Sequence, residues 1–548
     1  MSRRWALIFA LVVAALYLAA VNDLWGVKRD SALYLGLGQS LATGHGMEFN
    51  GGRWGGIPMG LPVIIAVCDR LFDFQYWPLN LLEKLLALGL IGVSYLAIRR
   101  LVQDLPERMR PGLVAASVVV IALSAQLLVN STSILTDIPF SFFVLVGLYA
   151  FIRGRRSPWL WYGLGTAAMS AACLTRIVGP IFLAATAAAV LVEAVRRRSW
   201  QHGIAMVMYG AVGAAIFMAW FLLVRSQQDP GTLDYFQASA NSMGFLSAEK
   251  WVLVGQAVLR IPMATSACFL DQRVAGLDWA LAALALVGLW TAWRARQYLV
   301  VFPVVLYIGG LALLTPSSVA DRYFLPIMPL LVYCIMLGAQ TLTLWMKDSP
   351  QAARWIKTPA GWAIKTPGGM RVSALVAAVA VLCVLISMPK IGRELYWVHH
   401  PRFYDVYDNG QWKGYVEAGQ YLRAHGRPEV DRVLAPQIRI IHHLSGLLVA
   451  TEKDLPHLDL HHYDQNEPRL FMEAASSGDY RFVVVSTKCA GGTPEAERSA
   501  EIQRLMRTSG LFRDKPVSLT GLLVYELTAL PVRSDVVAGD IYVPLENH

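Results

Sequence analysis

The chain has 548 residues, 55% of them hydrophobic and only 16% charged, with a formal net charge of +10. Soluble globular proteins carry about 25% charge, so this composition excludes an ordinary soluble fold and points to a polytopic membrane protein. The basic excess does not point to nucleic acid, because it sits in short clusters between apolar runs, the arrangement that sets membrane orientation.

In chain order, Met1–Ala20 has a basic start, an apolar middle and small residues at its end, as signal peptides do. A retained span is the preferred reading, because the next apolar run needs it for orientation. Apolar runs of about span length fall near 5–22, 77–98, 112–130, 137–152, 158–174, 177–195, 203–224, 277–293, 298–314, 323–346 and 372–388. The expectation is therefore a polytopic α-helical membrane protein of about eleven transmembrane helices.

Basic clusters alternate with these runs. They lie at Arg3–Arg4, at Arg99, Arg100, Arg108 and Arg110, at Arg153–Arg156, at Arg196–Arg198, at Arg294 and Arg296, and across Lys347–Arg371. All fall on one side, which the positive-inside rule makes cytoplasmic, with the N-terminus. The opposite side receives the loops 23–76 and 225–276, a turn near 131–136, and everything after Met388. The expected division is a transmembrane domain 1–388 and an extracytoplasmic α/β domain 389–548.

In the first outer loop Leu33, Leu37 and Leu41 recur at helical spacing beside Tyr34, without charge, as in a helix lying at the membrane surface. A second helix is expected over Ile57–Phe72 and a third near Trp251–Leu259. The polar tail alternates strands at 432–435, 480–486 and 521–526 with helical stretches at 411–425 and 494–508, the pattern of a small α/β domain. Of six cysteines, only Cys489 lies in this tail, and no CxxC or Cys/His zinc spacing occurs.

Ionisable groups gather at the outer ends of spans: Asp30 after the first, Asp137 opening the fourth, Arg176 opening the sixth, and Asp321-Arg322-Tyr323 opening the tenth. Charges at such depths are costly and mark functional sites. Carboxylates serve as bases or metal ligands, and arginines hold phosphate bidentately, so the set suits a lipid-phosphate substrate. Plainer readings compete. Asp30 and Asp137 are placed to cap helices, and Arg176 and Arg322 to snorkel to the interface. Lys28 and Arg29 read as lipid headgroup contacts, and His45 as a turn residue. Adjacent histidines at His442-His443 and His461-His462 point to different sides and make poor metal pairs.

The stretch Asp30-Ser-Ala-Leu-Tyr-Leu-Gly-Leu-Gly-Gln-Ser-Leu-Ala-Thr-Gly-His-Gly46 resembles the first outer loop of the GT-C glycosyltransferases, among them protein O-mannosyltransferases and aminoarabinose lipid A transferases. Ile57-Pro-Met-Gly-Leu-Pro62, Leu135-Thr-Asp-Ile-Pro-Phe140, Leu174-Thr-Arg176 and Arg322-Tyr-Phe-Leu-Pro326 resemble its later motifs in order. The tail resembles the outer domain of its bacterial members.

The resemblance implies transfer of a sugar from a polyprenyl phosphate carrier to a lipid, cell-wall glycan or protein acceptor, at the outer face of a bacterial inner membrane. Asp30 would then be the general base and Asp137 would orient the acceptor or hold a metal. Arg176, Arg322 and Arg53 would bind the donor phosphate, and Tyr34 and Tyr323 the substrate. Two departures stand out. Ser31 follows Asp30 where many members carry a second acid, and Arg53-Trp-Gly-Gly-Ile-Pro58 replaces a Lys-Pro-Pro stretch often preceded by Glu. An expected carboxylate is thereby missing. Glu48 stands nearby, so use of a divalent metal by Asp137 and Glu48 is left open, and no other cofactor is implied. The rival readings are a transporter or flippase for a lipid-linked sugar, which would favour internal repeats and broken mid-membrane helices, and a non-catalytic scaffold.

Overall fold

A computed structural model describes residues 3–154, 158–229, 248–274, 276–314, 321–348, 363–365, 371–428, 430–451, 454–455, 467–477, 480–487, 494–512 and 516–527. The His461-His462 pair and Cys489 lie outside these residues. The chain divides into two units, Met1–Asn409 and Gly410–His548.

The first unit is helical. Its opening elements are α1 (Arg3–Leu18), α2 (Arg29–Thr43), a hairpin of β1 (Glu48–Phe49) and β2 (Gly52–Arg53), α3 (Gly60–Phe72) and α4 (Tyr76–Gln103). The surface helix expected around Leu33 is α2, with Leu33 and Leu37 buried. It ends because Gly44 takes a left-handed conformation at φ 90°, letting the Gly44 and His45 amides cap the Leu41 and Ser40 carbonyls. Thr43 Oγ1 lies 2.9 Å from His45 Nδ1, which keeps the histidine in the turn.

The run expected as one span over 112–130 is broken into α5 (Leu113–Ala122) and α6 (Ala125–Ser131), bent by 42°. The cause is local. Ser124 accepts from the Leu127 amide and donates to the Phe269 carbonyl at 2.9 Å, so it starts a new helix.

Next come α7 (Asp137–Arg153), α8 (Pro158–Thr175), α9 (Gly179–Arg197), α10 (Trp200–Arg225) and α11 (Ala248–Leu270). The last is much longer than the short helix expected near 251–259. The unit continues with α12 (Leu277–Arg294), α13 (Tyr298–Leu314), a 3-10 turn (Asp321–Ile327), α14 (Met328–Asp348), a hairpin of β3 (Ala363–Lys365) and β4 (Arg371–Ser373), and α15 (Ala374–His399). The change from apolar to polar sequence near Met388 thus falls inside a continuous helix.

Among the described residues six helices have the length and composition of a membrane span, or seven if α5 and α6 form one bent span. Other expected spans, α1, α7, α8, α12 and α13, form helices of 16 to 18 residues, at the short end of the spanning range. Helix length alone therefore carries six or seven spans and not the full expected count.

Close packing in this unit uses glycine. A Cβ on Gly288 of α12 would lie 1.8 Å from the Cys334 carbonyl oxygen, and one on Gly338 of α14 2.0 Å from that of Leu284. The two helices touch backbone to backbone, the contact that small residues permit between apolar helices.

The second unit carries a five-stranded sheet in the order β6-β5-β7-β9-β8, with β5 (Arg432–Leu434), β6 (Leu448–Val449), β7 (Tyr480–Ser486), β8 (Val517–Leu519) and β9 (Leu522–Glu526). Strand β5 runs parallel to β6 and β7, while β9 is antiparallel to both β7 and β8. Side chains alternate across β7. Phe482 and Val484 share a core with Leu422 and Ile441, and Val483 and Val485 share another with Phe471, Ile502 and Met506. Both faces are thus covered by helices, as a sheet this apolar requires.

Asp431, buried before β5, accepts hydrogen bonds from Arg427 and from Arg481 of β7. Burial would raise its carboxyl, but the two guanidiniums outweigh that and hold it below the ordinary carboxylate range. His442 Nδ1 is 2.7 Å from the Leu447 carbonyl, where it serves the turn.

Candidate active site

Local geometry first fixes the two aspartates. The N-cap of α2 is Lys28 and that of α7 is Thr136, neither with a side-chain cap. Asp30 is the second residue of α2 and Asp137 the first of α7, so neither stands at the N-cap position. Both face arginines instead.

Asp137 is buried and receives a close hydrogen bond from Arg176 Nη1, with side-chain exposures of 3% and 11%. Arg176 projects from the turn between α8 and α9, where its amide donates to Ala172 and its carbonyl accepts from Gly179. Asp30 Oδ2 accepts from Arg322 Nη2 at 3.0 Å, with exposures of 31% and 34%. The first pair is almost wholly enclosed; the second is about one-third exposed.

Tyr323 joins the pairs. The Arg176 guanidinium lies 4.8 Å from its ring centroid and that of Arg322 lies 5.2 Å from it. One aromatic face system thus spaces two cations that would otherwise repel, each contact contributing roughly 0.5–2 kcal/mol. The Tyr323 carbonyl accepts from the Tyr307 hydroxyl at 2.7 Å. Tyr307 is fully buried and packs on Phe182 at 4.4 Å. Tyr34, one turn after Asp30 on α2, contributes to the electrostatic surroundings of Arg176. Asp30, Asp137, Arg176, Arg322, Tyr323 and Tyr34 therefore form one neighbourhood.

Arg53 and Glu48 stand on the hairpin after α2. They pair with each other across the β1–β2 hairpin at 3.1 Å, and Arg53 is more than half exposed. The Arg53 amide also donates to Asp229 at 2.7 Å. Neither Glu48 nor Asp137 belongs to a group of three or more His, Cys, Asp or Glu side chains able to hold a metal, among the described residues. The carboxylates suggested for a divalent metal, Asp137 and Glu48, each pair with a guanidinium. Lys28 pairs with Asp408 at 3.7 Å and lies 5.8 Å from the Tyr407 ring centroid.

The sequence reading overlooked Glu83 and Lys84. Both are buried near the start of α4, and Lys84 Nζ donates to the Ser131 carbonyl at 2.5 Å. Glu394 of α15 is also buried and accepts from Thr132 at 2.6 Å. Glu83 and Glu394 both act electrostatically on Lys84, and Glu83 senses Asp137. The available signal was an adjacent acid–base pair inside an apolar run, which membrane energetics flags as functional.

Residues 51–227 match the model of the dolichyl-phosphate-mannose-protein mannosyltransferase family. No curated protein sequence matches the chain. Among solved structures, the ArnT protein of Cupriavidus metallidurans bound to undecaprenyl phosphate is similar at a TM-score of 0.59 and 14% identity, over 96% of this chain and 98% of that one. The archaeal oligosaccharyltransferase AglB of Archaeoglobus fulgidus, in complex with an inhibitory peptide and a dolichol-phosphate, is similar at 0.52 and 11% identity, over 96% of this chain and 75% of that one. At these identities the likeness establishes the fold. Residues 51–227 thus carry a likeness to that family, and the chain shares its fold with both solved proteins along nearly its whole length.

Proposed function

We propose that the protein moves a sugar from a polyprenyl phosphate to an acceptor on the outer face of a bacterial inner membrane, with Asp30 as general base. The observation that carries this reading is the pair of carboxylate–guanidinium contacts flanking Tyr323. Asp30 is the accessible carboxylate and Asp137 the sealed one, so their roles differ. Asp30 takes the proton of an acceptor hydroxyl as that oxygen bonds to the anomeric carbon. The bond from that carbon to the phosphate oxygen breaks, and its electron pair stays with the phosphate. The leaving phosphate gains a charge, which Arg322 and Arg176 neutralise. Asp137 keeps Arg176 oriented, and Tyr34 and Tyr323 contact substrate beside the reacting centre.

The basic clusters support an outer site. If α11 crossed the membrane, Arg294, Arg296 and the cluster over Lys347–Arg371 would fall outside with the site. We therefore place α11 on the outer side without crossing, and the second unit on that same side. The class of acceptor, whether lipid, glycan or protein, is read by the assay itself. Membranes containing the protein are incubated with a panel of radiolabelled polyprenyl-phosphate sugars. Label should move to an acceptor fraction for at least one donor, and uniform failure with intact protein would overturn the reading in favour of transport.

A further inference from the structure

Each cation placed at the site already has an anionic or carbonyl partner. Arg176 is held by Asp137, Lys84 by the Ser131 carbonyl within reach of Glu83 and Glu394, and Arg322 by Asp30. A phosphate that takes the edge of Arg322 now facing Asp30 must displace that carboxylate. The two ion pairs offer very different openings. Arg176 and Asp137 are almost wholly enclosed, and separating them strands a charge in a dry setting. Arg322 and Asp30 are each about one-third exposed and easily exchanged. A phosphate also outbids a single carboxylate for a guanidinium, because it carries more charge and more acceptor oxygens.

Resting on the functional reading above, we infer that the Asp30–Arg322 pair is a latch opened by the donor. The lipid phosphate takes Arg322, and the Asp30 carboxylate, no longer held by that guanidinium, accepts the acceptor's proton. Arg322 thus does two things in sequence: it masks the base in the empty protein and neutralises the leaving phosphate afterwards. Donor binding precedes activation of the acceptor, and the base stays covered until a sugar carrier is in place. Tyr323 guides the exchange, since its ring stays beside Arg322 while its backbone is pinned by Tyr307.

The test is a double-mutant cycle on the whole protein in lipid nanodiscs, with undecaprenyl phosphate as the probe. Asp30→Asn should bind the probe about fivefold tighter than wild type, the upper range for freeing a partly exposed ion pair. Arg322→Gln should bind it more weakly, and adding Asp30→Asn to Arg322→Gln should change nothing further. If the gain persists undiminished without Arg322, Asp30 acts by plain repulsion and the latch is wrong. If Asp30→Asn gives no gain, the latch is also wrong, although the donor reading stands. If wild type does not bind the probe at all, the donor reading itself falls. A second measurement guards against a misfolded variant. Carbodiimide labelling of Asp30 in lipid-free protein, read by mass spectrometry, should be several-fold faster in Arg322→Gln than in wild type. Equal rates would overturn the masking.

Discussion

The two ion pairs share the same chemistry and differ in burial, which makes their relative cost a sharp expectation. Replacing Arg176 with Ala leaves Asp137, whose side chain is only 3% exposed, without its hydrogen-bonded partner. Removing one partner of a buried ion pair costs about 3–5 kcal/mol. Replacing Arg322 with Gln strands Asp30 at 31% exposure, where water replaces the lost partner and the cost is about 0–1 kcal/mol. Reversible unfolding in mixed micelles, followed by SDS titration, should therefore separate the two variants by at least about 2 kcal/mol. The double variant Asp137→Asn with Arg176→Met removes both charges and should recover most of the stability lost in Arg176→Ala, without recovering transfer. Equal costs for Arg176→Ala and Arg322→Gln would refute the burial asymmetry on which the two aspartates are given different roles.

Other expectations follow from packing and titration. Gly288→Ala should lower the melting temperature markedly, because its methyl has 1.8 Å to the Cys334 carbonyl and backbone cannot step aside; a thermal scan in detergent reads this directly. Gly60→Ala places a methyl 2.7 Å from the Leu174 carbonyl, two residues before Arg176, and should cut the transfer rate about tenfold or more through displacement of that guanidinium. In the second unit burial, then His442 and Arg423, pushes the His443 imidazole down to about 3. The folded unit therefore binds this proton less readily than the unfolded chain. The stability His443 permits is complete above the unfolded value near 6.5 and declines as pH falls from there towards 3. His443→Gln should lessen that decline in thermal scans at pH 7.5 and pH 5; an unchanged difference between the two would refute it.

Much of the outer loop could be read in advance because it obeys simple periodicities. The Leu33, Leu37 and Leu41 spacing fixed a helix, and Gly44 ended it at a positive φ that only glycine adopts cheaply. The pairing of Asp30 with Arg322 was not legible, since 292 positions separate them and only the tertiary fold brings them together. Cap statistics even favoured a different use of both aspartates, and the tertiary ion pairs prevailed. The bend at Ser124 was hidden because a single serine inside a strongly apolar run barely changes its average hydropathy. Glu48 and Arg53 looked like independent site candidates until a two-residue hairpin set them opposite one another. Glu83 and Lys84 were visible as letters, and what hid them was the assumption that functional charges lie at span ends.

The role of Asp30 as the base of a lipid-linked glycosyl transfer is open to a direct assay. It is tested most directly by comparing label transfer from a polyprenyl-phosphate sugar in membranes bearing wild type or Asp30→Asn, at matched protein levels and with folding checked by thermal scan. Wild type should transfer label, and the folded variant should lose at least about a hundredfold, the scale of general-base catalysis. Equal transfer by both would contradict it and remove Asp30 from the chemistry.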